Sequence, residues 1–321
     1  MRVLVTGASG FVGQALLPVL ARSGLKPRAA VRRIERLGDA DESVLVRDIG
    51  PETDWQSALC GMDTVVHLAA RVHVMREDAV NPLGAFRETN TAGTLNLANQ
   101  AVVAGVRRFV FVSSIKVNGE GRDAPYSEFD TPEPVDAYAI SKWEAEQGLR
   151  DIERETGLEV VIIRPPLVYG PGVKANFLSL MRAVHAGWPL PLGAVKNRRS
   201  LLYLGNFVDA IRLCLVHPAA AGQTFVLADG APLSSAELVR KMARALGCTP
   251  YLLPVPASLL RIVASLVGRA DAAERLLGSL VVDDQLIRER LGWRPPVDTA
   301  TGLFETARAF LAMLGGGRSD G

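Results

Sequence analysis

Tyr138 and Lys142 stand four positions apart, a spacing that places both side chains on one face of a helix. An ammonium group beside a phenol favours the phenolate, so we expect the pKa of Tyr138 to fall from about 10 toward neutral pH. A tyrosine in that state can act as a general acid or base. Ser114 follows a predicted strand, where its hydroxyl could orient a carbonyl or hydroxyl group beside Tyr138. A surface helix pair has the same spacing, so the interpretation depends on the elements that position these residues.

The chain begins with a strand, a glycine-rich turn and a helix. Residues 3–6 are a short apolar run, and three glycines spaced three apart follow before an apolar-periodic segment. In a dinucleotide-binding turn the first glycine permits the bend, the second admits a pyrophosphate and the third lets the helix lie close to the sheet. An ordinary strand-to-helix turn is the alternative. We expect the cofactor to be bound here by Gly7, Ser9, Gly10, Phe11, Val12 and Gly13.

Strands and helices alternate through the first half of the chain. Strands are predicted at 28–31, 44–47, 64–68, 109–113 and 159–163, and long helices at 85–105 and 137–156. This alternation predicts the α/β class, with a Rossmann-type doubly wound parallel sheet that is covered on both faces. Ligands of such sheets bind at the carboxyl ends of the strands, where Ser114 is expected.

The second half of the chain has a looser pattern, interrupted by Gly/Pro turns. We therefore predict a dinucleotide-binding domain over 1–165, with segments near 200–228 returning to it, of which 200–204 and 224–227 would join its sheet. A smaller α/β substrate-binding lobe would comprise 166–199 and 229–314, on the C-terminal side. Residues 315–321 are predicted to be a disordered tail.

The composition is that of a globular protein, with 321 residues, 48% hydrophobic residues and a net charge of +2. Without a long basic run, we expect no nucleic-acid partner. Cys60, Cys214 and Cys248 are scattered, which indicates neither a metal site nor a disulfide framework and favours the cytoplasm. The first strand starts at once, so we expect no signal peptide. No apolar stretch reaches the roughly 20 residues of a membrane span, and 257–268 is interpreted as a core helix rather than a membrane-surface helix.

Arg32 and Arg33 follow the second predicted strand, where NAD-binding proteins usually carry an acidic residue. Two guanidinium groups can hold a 2′-phosphate, so NADP(H) is favoured and NAD is possible. The alternative is that both arginines are solvated. After the third strand, Asp48 and Ile49 are candidates for the adenine site, although a plain strand-end turn would read the same way.

Seven motifs together resemble the extended short-chain dehydrogenases/reductases, in the nucleotide-sugar epimerase and dehydratase branch. They are TGASGFVG at the start, HLAA at 67–70, NTAGT at 90–94, VSSIKVNGE at 112–120, YAISK at 138–142, RPPLVYGPG at 164–172 and LGWRPP at 291–296. The resemblance implies that Ser114, Tyr138 and Lys142 are catalytic, with Lys142 also holding the nicotinamide ribose. It adds to the cofactor site Leu68, Ala69, Ala70, Asn90 and Pro165, with Ala69 and Asn90 on the nicotinamide side. It implies a substrate site of Ser114, Lys116, Tyr138, Asn176 and Arg199, in which Asn176 and Arg199 hold a diphosphate.

Two departures from the family pattern concern the reaction and the substrate. The related 4,6-dehydratases carry an Asp–Glu pair directly after the catalytic Ser or Thr, where this chain has Ile115 and Lys116, so we expect no dehydration. Lys116 would lie near the sugar or point to solvent. Leu167 replaces an Asn that many epimerases have near the substrate.

The function that the resemblance favours is hydride transfer at C4 of a UDP-hexose. SSIKVNGE and GSLVVDD at 278–284 resemble a UDP-glucose 4-epimerase-like subgroup that includes reductases of UDP-4-keto-6-deoxy-N-acetylhexosamines for surface polysaccharide. NADPH-dependent 4-ketoreduction is the favoured interpretation. The alternative is a UDP-glucose or UDP-N-acetylglucosamine 4-epimerase with tightly bound NAD, and a non-catalytic NADP sensor is a remote third. The family also implies a homodimer, formed through a four-helix bundle of the helices at 85–105 and 137–156.

Overall fold

The computed structural model describes residues 1–33, 40–72, 81–122, 124–266, 268 and 270–316. Its strands are β1 (Arg2–Thr6), β2 (Lys26–Val31), β3 (Glu42–Leu45), β4 (Thr64–His67), β5 (Arg108–Val112), β6 (Glu159–Arg164), β7 (Leu167–Tyr169), β8 (Leu201–Tyr203) and β9 (Thr224–Val226). Its α-helices are α1 (Phe11–Arg22), α2 (Gln56–Leu59), α3 (Pro82–Phe86), α4 (Gly93–Val103), α5 (Ala137–Thr156), α6 (Ala175–His185), α7 (Leu204–Val216), α8 (Ser235–Leu246), α9 (Ala257–Leu266), α10 (Ala270–Leu277), α11 (Gln285–Leu291) and α12 (Thr299–Gly316).

One parallel sheet organises the first half of the molecule, and within the described residues it has seven strands in the order β3-β2-β1-β4-β5-β6-β9. The predicted doubly wound parallel sheet is therefore confirmed. The strand order reverses between β1 and β4, which is where ligands bind in such sheets. Thr6 pairs with His67 and His67 with Phe111, so the carboxyl ends of β1, β4 and β5 lie level at this edge.

Apolar side chains on both faces of the sheet explain why these strands are continuous hydrophobic runs. On one face Val3, Val5 and Val110 pack with α1 and α7. On the other, Leu4 and Phe109 pack with α4 and α5. Because both faces are covered, the edge formed by the carboxyl ends of the strands remains for ligands.

The predicted helix at 137–156 is found with the same bounds as α5, whereas the helix predicted at 85–105 is divided. It consists of the end of α3, a π-helical turn over Arg87–Ala92, and α4. Asp136 accepts a hydrogen bond from the Ala139 backbone N–H and caps the start of α5, and Gly157 ends it with φ +77°. Both capping features can be seen in the sequence, but the π-turn has no comparable signal.

The segment at 200–228 returns to the sheet only in part. Thr224–Val226 pairs with β6, as predicted, and α7 packs on the sheet. Leu201–Tyr203 does not join the main sheet but pairs with β7 in a separate two-stranded sheet, because β9 already occupies the edge beside β6. That part of the prediction was wrong.

The smaller lobe has a core of its own, built around Tyr169, Phe177 and Met181 with residues of α8 and α12. Its predicted extent over 229–314 was too wide. Ile287 and Leu291 of α11 belong to the core of the main sheet, because this helix packs beside β9.

Two further expectations differ from the structure. No residue of α9 is buried, and Leu259, Ile262 and Leu266 are 49%, 57% and 81% exposed, so this segment is not a core helix. Its main neighbour is α10, and Leu260 packs against the core of the smaller lobe, while the three exposed side chains stay uncovered. The predicted tail at 315–321 begins inside α12, and 317–321 lie outside the described residues. Among the helices of the described part, none is long and apolar enough to cross a membrane.

Candidate active site

The glycine-rich turn joins the end of β1 to α1 in a conformation that needs small residues. Gly7 has φ +67°, and a Cβ there would lie 2.8 Å from the backbone N of Ala69. A Cβ on Gly13 would lie 2.4 Å from the Gly7 carbonyl oxygen. The first helix is thus seated directly on the turn, and Ser9 and Gly10 remain exposed above it. Phe11 and Val12, half-buried, begin the helix.

His67, at the end of β4, connects β1 and α4 through its ring nitrogens. Its ring nitrogens lie 2.7 Å from Thr6 Oγ1 and 3.0 Å from Thr94 Oγ1, in β1 and α4. Burial lowers the pKa of His67 to about 3, with a further contribution from the charge of Lys142. The imidazole is therefore neutral and structural, a role that the sequence did not reveal. Thr6 Oγ1 also accepts from the backbone N–H of Ala69 at 3.2 Å.

Asn90 lies on the π-helical turn with 1% of its surface exposed. Its side chain accepts from the Arg71 N–H at 2.8 Å and donates to the Arg71 carbonyl and to Ser141 Oγ, both at 3.0 Å. The segment after β4, with Leu68, Ala69 and Ala70, is thereby held against α5. Asn90 thus positions this segment, and its expected place beside a nicotinamide stays a prediction.

Lys142 is buried beneath the end of β5, with 1% exposure. Its ammonium group donates to the Val112 carbonyl at 2.9 Å and lies 4.4 Å from the centre of the Phe111 ring. Burial lowers the pKa of Lys142 to about 7, although the carboxylate of Glu146 opposes this shift. A lysine with this pKa can exchange its proton near neutral pH.

Tyr138 lies in the first turn of α5 and is half-buried. Burial raises its pKa well above the usual value for tyrosine, and the carboxylate of Asp136 raises it further. The expected lowering of this pKa by Lys142 is therefore wrong for the protein alone, because Lys142 is itself desolvated and bound to Val112. A phenolate at this position needs additional positive charge nearby.

Ser114 lies two residues after the end of β5, in extended backbone, and caps the start of a 3₁₀ turn over Ile115–Val117. The backbone N–H of Ile115 donates to the Pro165 carbonyl at 3.0 Å, which ties this turn to the end of β6. Because Lys142 binds Val112 two residues earlier and α5 contacts the 3₁₀ turn, the structure brings Ser114, Tyr138 and Lys142 to the carboxyl end of one strand.

Lys116 is placed differently from either alternative considered for it. Its ammonium group lies 2.7 Å from Asp136 Oδ2 and 2.5 Å from Glu120 Oε1. Burial by itself would lower the pKa of Lys116, but the two carboxylates outweigh it and raise the pKa. The side chain is thus engaged in ion pairs, and its predicted contact with a substrate has no support in this geometry.

A buried polar network lies behind the catalytic residues, and the sequence analysis missed it. Arg164 Nη2 lies 2.5 Å from Glu146 Oε2, and Arg164 Nη1 donates to Asn118 Oδ1 at 3.0 Å. Ser113 donates a short hydrogen bond to the same Glu146 carboxylate. The available signal was a glutamate four residues after Lys142, together with an arginine that directly follows the apolar run at 160–163.

The residues predicted for the adenosine end lie at the same edge of the sheet. Arg32 and Arg33 are exposed after β2, next to the end of β1. Asp48 and Ile49 follow β3 and line an open cleft of about 450 Å³. The exposed positions agree with a ligand-binding role for the arginines, and equally with solvation.

The two residues predicted to hold a diphosphate lie in the smaller lobe. Asn176 is exposed at the start of α6, next to Ala175, which has φ +52°. Arg199 Nη1 donates to the Gly278 carbonyl at 3.0 Å, and burial lowers the pKa of its guanidinium group. Arg199 thus already makes a hydrogen bond within the protein, to the backbone of Gly278. Leu167, at the start of β7, is 46% exposed.

Comparisons with known proteins agree with this geometry. The NAD dependent epimerase/dehydratase family matches residues 3–228. A UDP-glucose 4-epimerase of Vibrio cholerae is 46% identical over 315 residues, which cover 96% of this chain and 95% of the relative. Among solved structures, a UDP-N-acetylglucosamine 4-epimerase from Bacillus cereus has a TM-score of 0.79 at 23% identity, over 98% of this chain and 99% of that one. MoeE5 in complex with UDP-glucuronic acid and NAD has a TM-score of 0.78 at 26% identity, over 98% of this chain and 100% of that one. The family resemblance is confirmed.

Proposed function

Because this chain belongs to the NAD-dependent epimerase/dehydratase family, we propose that it inverts C4 of a UDP-hexose with a tightly held NAD. The observation that carries the proposal is the end-to-end match to a UDP-glucose 4-epimerase at 46% identity. The placement of Ser114, Tyr138 and Lys142 at the end of β5 supports it. These findings favour epimerisation over the 4-ketoreduction that the sequence analysis preferred.

The glycine turn fits a dinucleotide, because a Cβ at Gly7 or Gly13 would collide with neighbouring backbone. A bound NAD would supply a hydride acceptor and donor at C4. Tyr138 would take the proton from the C4 hydroxyl and return it after the sugar has turned, while Ser114 orients the C4 oxygen. The positive charge of an oxidised nicotinamide would offset the burial that raises the pKa of Tyr138. Lys142 would hold the Tyr138 phenol and the cofactor ribose in fixed positions relative to each other.

Dehydration is disfavoured by the residues after Ser114. Ile115 is 3% exposed and has no ionisable group. Lys116 stays protonated because its carboxylate partners raise its pKa. Neither residue can act at C5 and C6 as the acid and base that elimination of water requires.

A second candidate function is NADPH-dependent reduction of a UDP-4-keto-6-deoxy-N-acetylhexosamine. Exposed Arg32 and Arg33 at the end of β2 favour it, because they could bind a 2′-phosphate. The NAD named with the MoeE5 structure favours the epimerase. A sensor without activity is the weakest alternative, since the three catalytic residues are all present.

The remaining assignments also belong to the proposal. Asn176 and Arg199 would hold the UDP diphosphate, as the family implies. A homodimer would form through α4 and α5. These two helices pack closely because Gly148 has no side chain at its contact with Leu95. The enzyme would work in the cytoplasm, where its three unpaired cysteines stay reduced.

The deciding experiment needs no added cofactor. Purified protein is incubated with UDP-glucose, and separately with UDP-N-acetylglucosamine, and the products are followed by proton NMR. We expect interconversion with the 4-epimer, and the mass of the released cofactor should be that of NAD. Consumption of NADPH with a 4-keto sugar, with no interconversion, would instead establish the reductase.

A further inference from the structure

Lys116 connects two parts of the site that are distant in sequence. Its backbone N–H donates to Ser114 Oγ at 3.3 Å, and its ammonium group lies 2.7 Å from Asp136 Oδ2. Asp136 uses its other oxygen, Oδ1, to accept from the Ala139 N–H at 2.7 Å. One series of contacts therefore runs from the serine after β5 to the first turn of the helix that carries Tyr138.

Shielding from water makes this ion pair more effective than one on the open surface. The side chains of Lys116 and Asp136 are 28% and 30% exposed, and Glu120 adds a second carboxylate at 2.5 Å. The Glu133 N–H also donates to the Val117 carbonyl at 3.0 Å, which fixes the segment that connects the 3₁₀ turn to α5. Partly shielded charges interact more strongly than solvated ones, so the pair can fix the geometry of both ends.

We propose that Lys116 and Asp136 are a positioning pair that sets the placement of Ser114 relative to Tyr138 and the charge around the phenol. The inference rests on the proposed function, because it assigns the pair a role in the C4 reaction. Neither residue contacts the sugar in this proposal. They act through the two residues that do.

Within the part of the chain that the structure describes, few charged groups lie near Tyr138, which makes their effects separable. On α5 they are Asp136, two residues before it, and Lys142, four residues after it. The 3₁₀ turn brings Lys116, with Glu120 bound to it. The carboxylate of Asp136 raises the pKa of the phenol. The ammonium group of Lys116 lies 2.7 Å from that carboxylate, and in the proposal its positive charge offsets part of the effect.

An aromatic contact completes the surroundings of the phenol. The Phe86 ring packs edge-on against Tyr138, with centroids 6.2 Å apart, and is uncharged. Arg71 lies 5.6 Å from the centre of the Phe86 ring and is the remaining cation on that side among the contacts described. Substitutions at 116 and 136 leave both of these groups in place.

The test uses two substitutions that change the local charge in opposite directions. Lys116→Gln removes the Lys116 cation from beside the Asp136 carboxylate, so the pH–rate limb of Tyr138 should move to higher pH. Asp136→Asn keeps a side-chain oxygen for the helix cap but removes the charge, so the limb should move to lower pH. We expect shifts of about 0.5 unit, because both groups are partly exposed. In Lys116→Gln, kcat should fall roughly tenfold through misplaced Ser114, with KM and NAD retention changed less than about twofold.

Two further variants serve as controls. Lys116→Arg keeps the charge and should restore the position of the limb. Arg122→Gln breaks an ion pair with Asp130 in the same segment between the 3₁₀ turn and α5, where the side chains are 37% and 26% exposed. It should leave the pH–rate limb of Tyr138 unchanged. Thermal melting checks that each variant is folded. If Lys116→Gln does not fold, the shift in Asp136→Asn decides alone, since Asn is an equally good cap.

The proposal is overturned if the pH–rate limb stays in place in both charge variants, or if it moves in the same direction in both. This result is distinct from failure of the proposed function, which shows in the wild type. If the wild type only reduces a 4-keto sugar with NADPH, the same two limbs are measured in that reaction, because Tyr138 titrates there as well.

Discussion

Replacing Glu146 by Gln tests the buried network behind the active site. The Glu146 carboxylate accepts hydrogen bonds from Arg164 Nε at 3.0 Å and from Arg164 Nη2 at 2.5 Å. It also accepts a hydrogen bond from the Ser113 hydroxyl. The side chains of Glu146 and Arg164 are only 1% and 4% exposed. Gln has nearly the same shape but no charge, so the Arg164 cation would remain buried without its counter-ion.

The expected cost follows from that burial. Removing one partner of a buried ion pair destabilises a protein by about 3–5 kcal/mol, because the other charge is left uncompensated. Such a loss is a large fraction of the roughly 5–15 kcal/mol of a typical fold. Glu146 also opposes the lowering of the pKa of Lys142, so the substitution should lower that pKa further.

Urea denaturation followed by tryptophan fluorescence measures the loss as a change in midpoint at constant slope. Glu144→Gln is the matched control on the same helix, since Glu144 pairs with Arg87 where the side chains are 28% and 50% exposed. An exposed pair of this kind contributes about 0–1 kcal/mol. If Glu146→Gln loses no more stability than Glu144→Gln does, the reasoning about the buried charge is refuted.

Three other predictions concern chemistry, cofactor and pH. Tyr138→Phe should reduce turnover by a factor on the order of 10² while NAD retention is unchanged, and wild-type turnover would contradict its assignment as acid and base. Arg32→Ala with Arg33→Ala should weaken NADP binding by roughly two- to fivefold per arginine and leave NAD binding alone, and equal losses in the two dissociation constants would show that the arginines do not bind the 2′-phosphate. Burial raises the pKa of Glu128 from 4.5 to about 7, so the folded state holds an extra proton between those values and stability falls as pH rises through them. Glu128→Gln should flatten that part of a melting-temperature profile, and an unchanged slope would locate the proton elsewhere.

Much of the fold could be predicted because the local signals and the tertiary structure agree. Apolar runs, a glycine turn and a capped helix specify β1, α1 and α5, and α5 is found with its predicted bounds. The pairing of Leu201–Tyr203 was predicted wrongly, because a three-residue apolar strand shows that it can join a sheet but not which strand it pairs with. The exposure of α9 was missed for a related reason: an apolar face shows that a helix can be buried, but not that a partner element is present.

The positions of Tyr138 and Lys142 were easier to predict than the ionisation of their side chains. The spacing of Tyr138 and Lys142 correctly predicts a shared helix. It does not show that Lys142 is desolvated by the end of β5, or that Asp136 adds negative charge beside the phenol. Both effects depend on burial, which no local pattern specifies.

Several of the motif residues that identify the family act behind the site rather than in it. His67 joins β1 to α4, and Asn90 holds the segment after β4 against α5. Arg164 fixes the end of β6 through Glu146. Residues with these roles maintain the geometry for hydride transfer whatever sugar is bound. In the proposed reaction the choice of sugar would therefore depend on the smaller lobe, where the exposed Leu167 departs from the pattern of many epimerases.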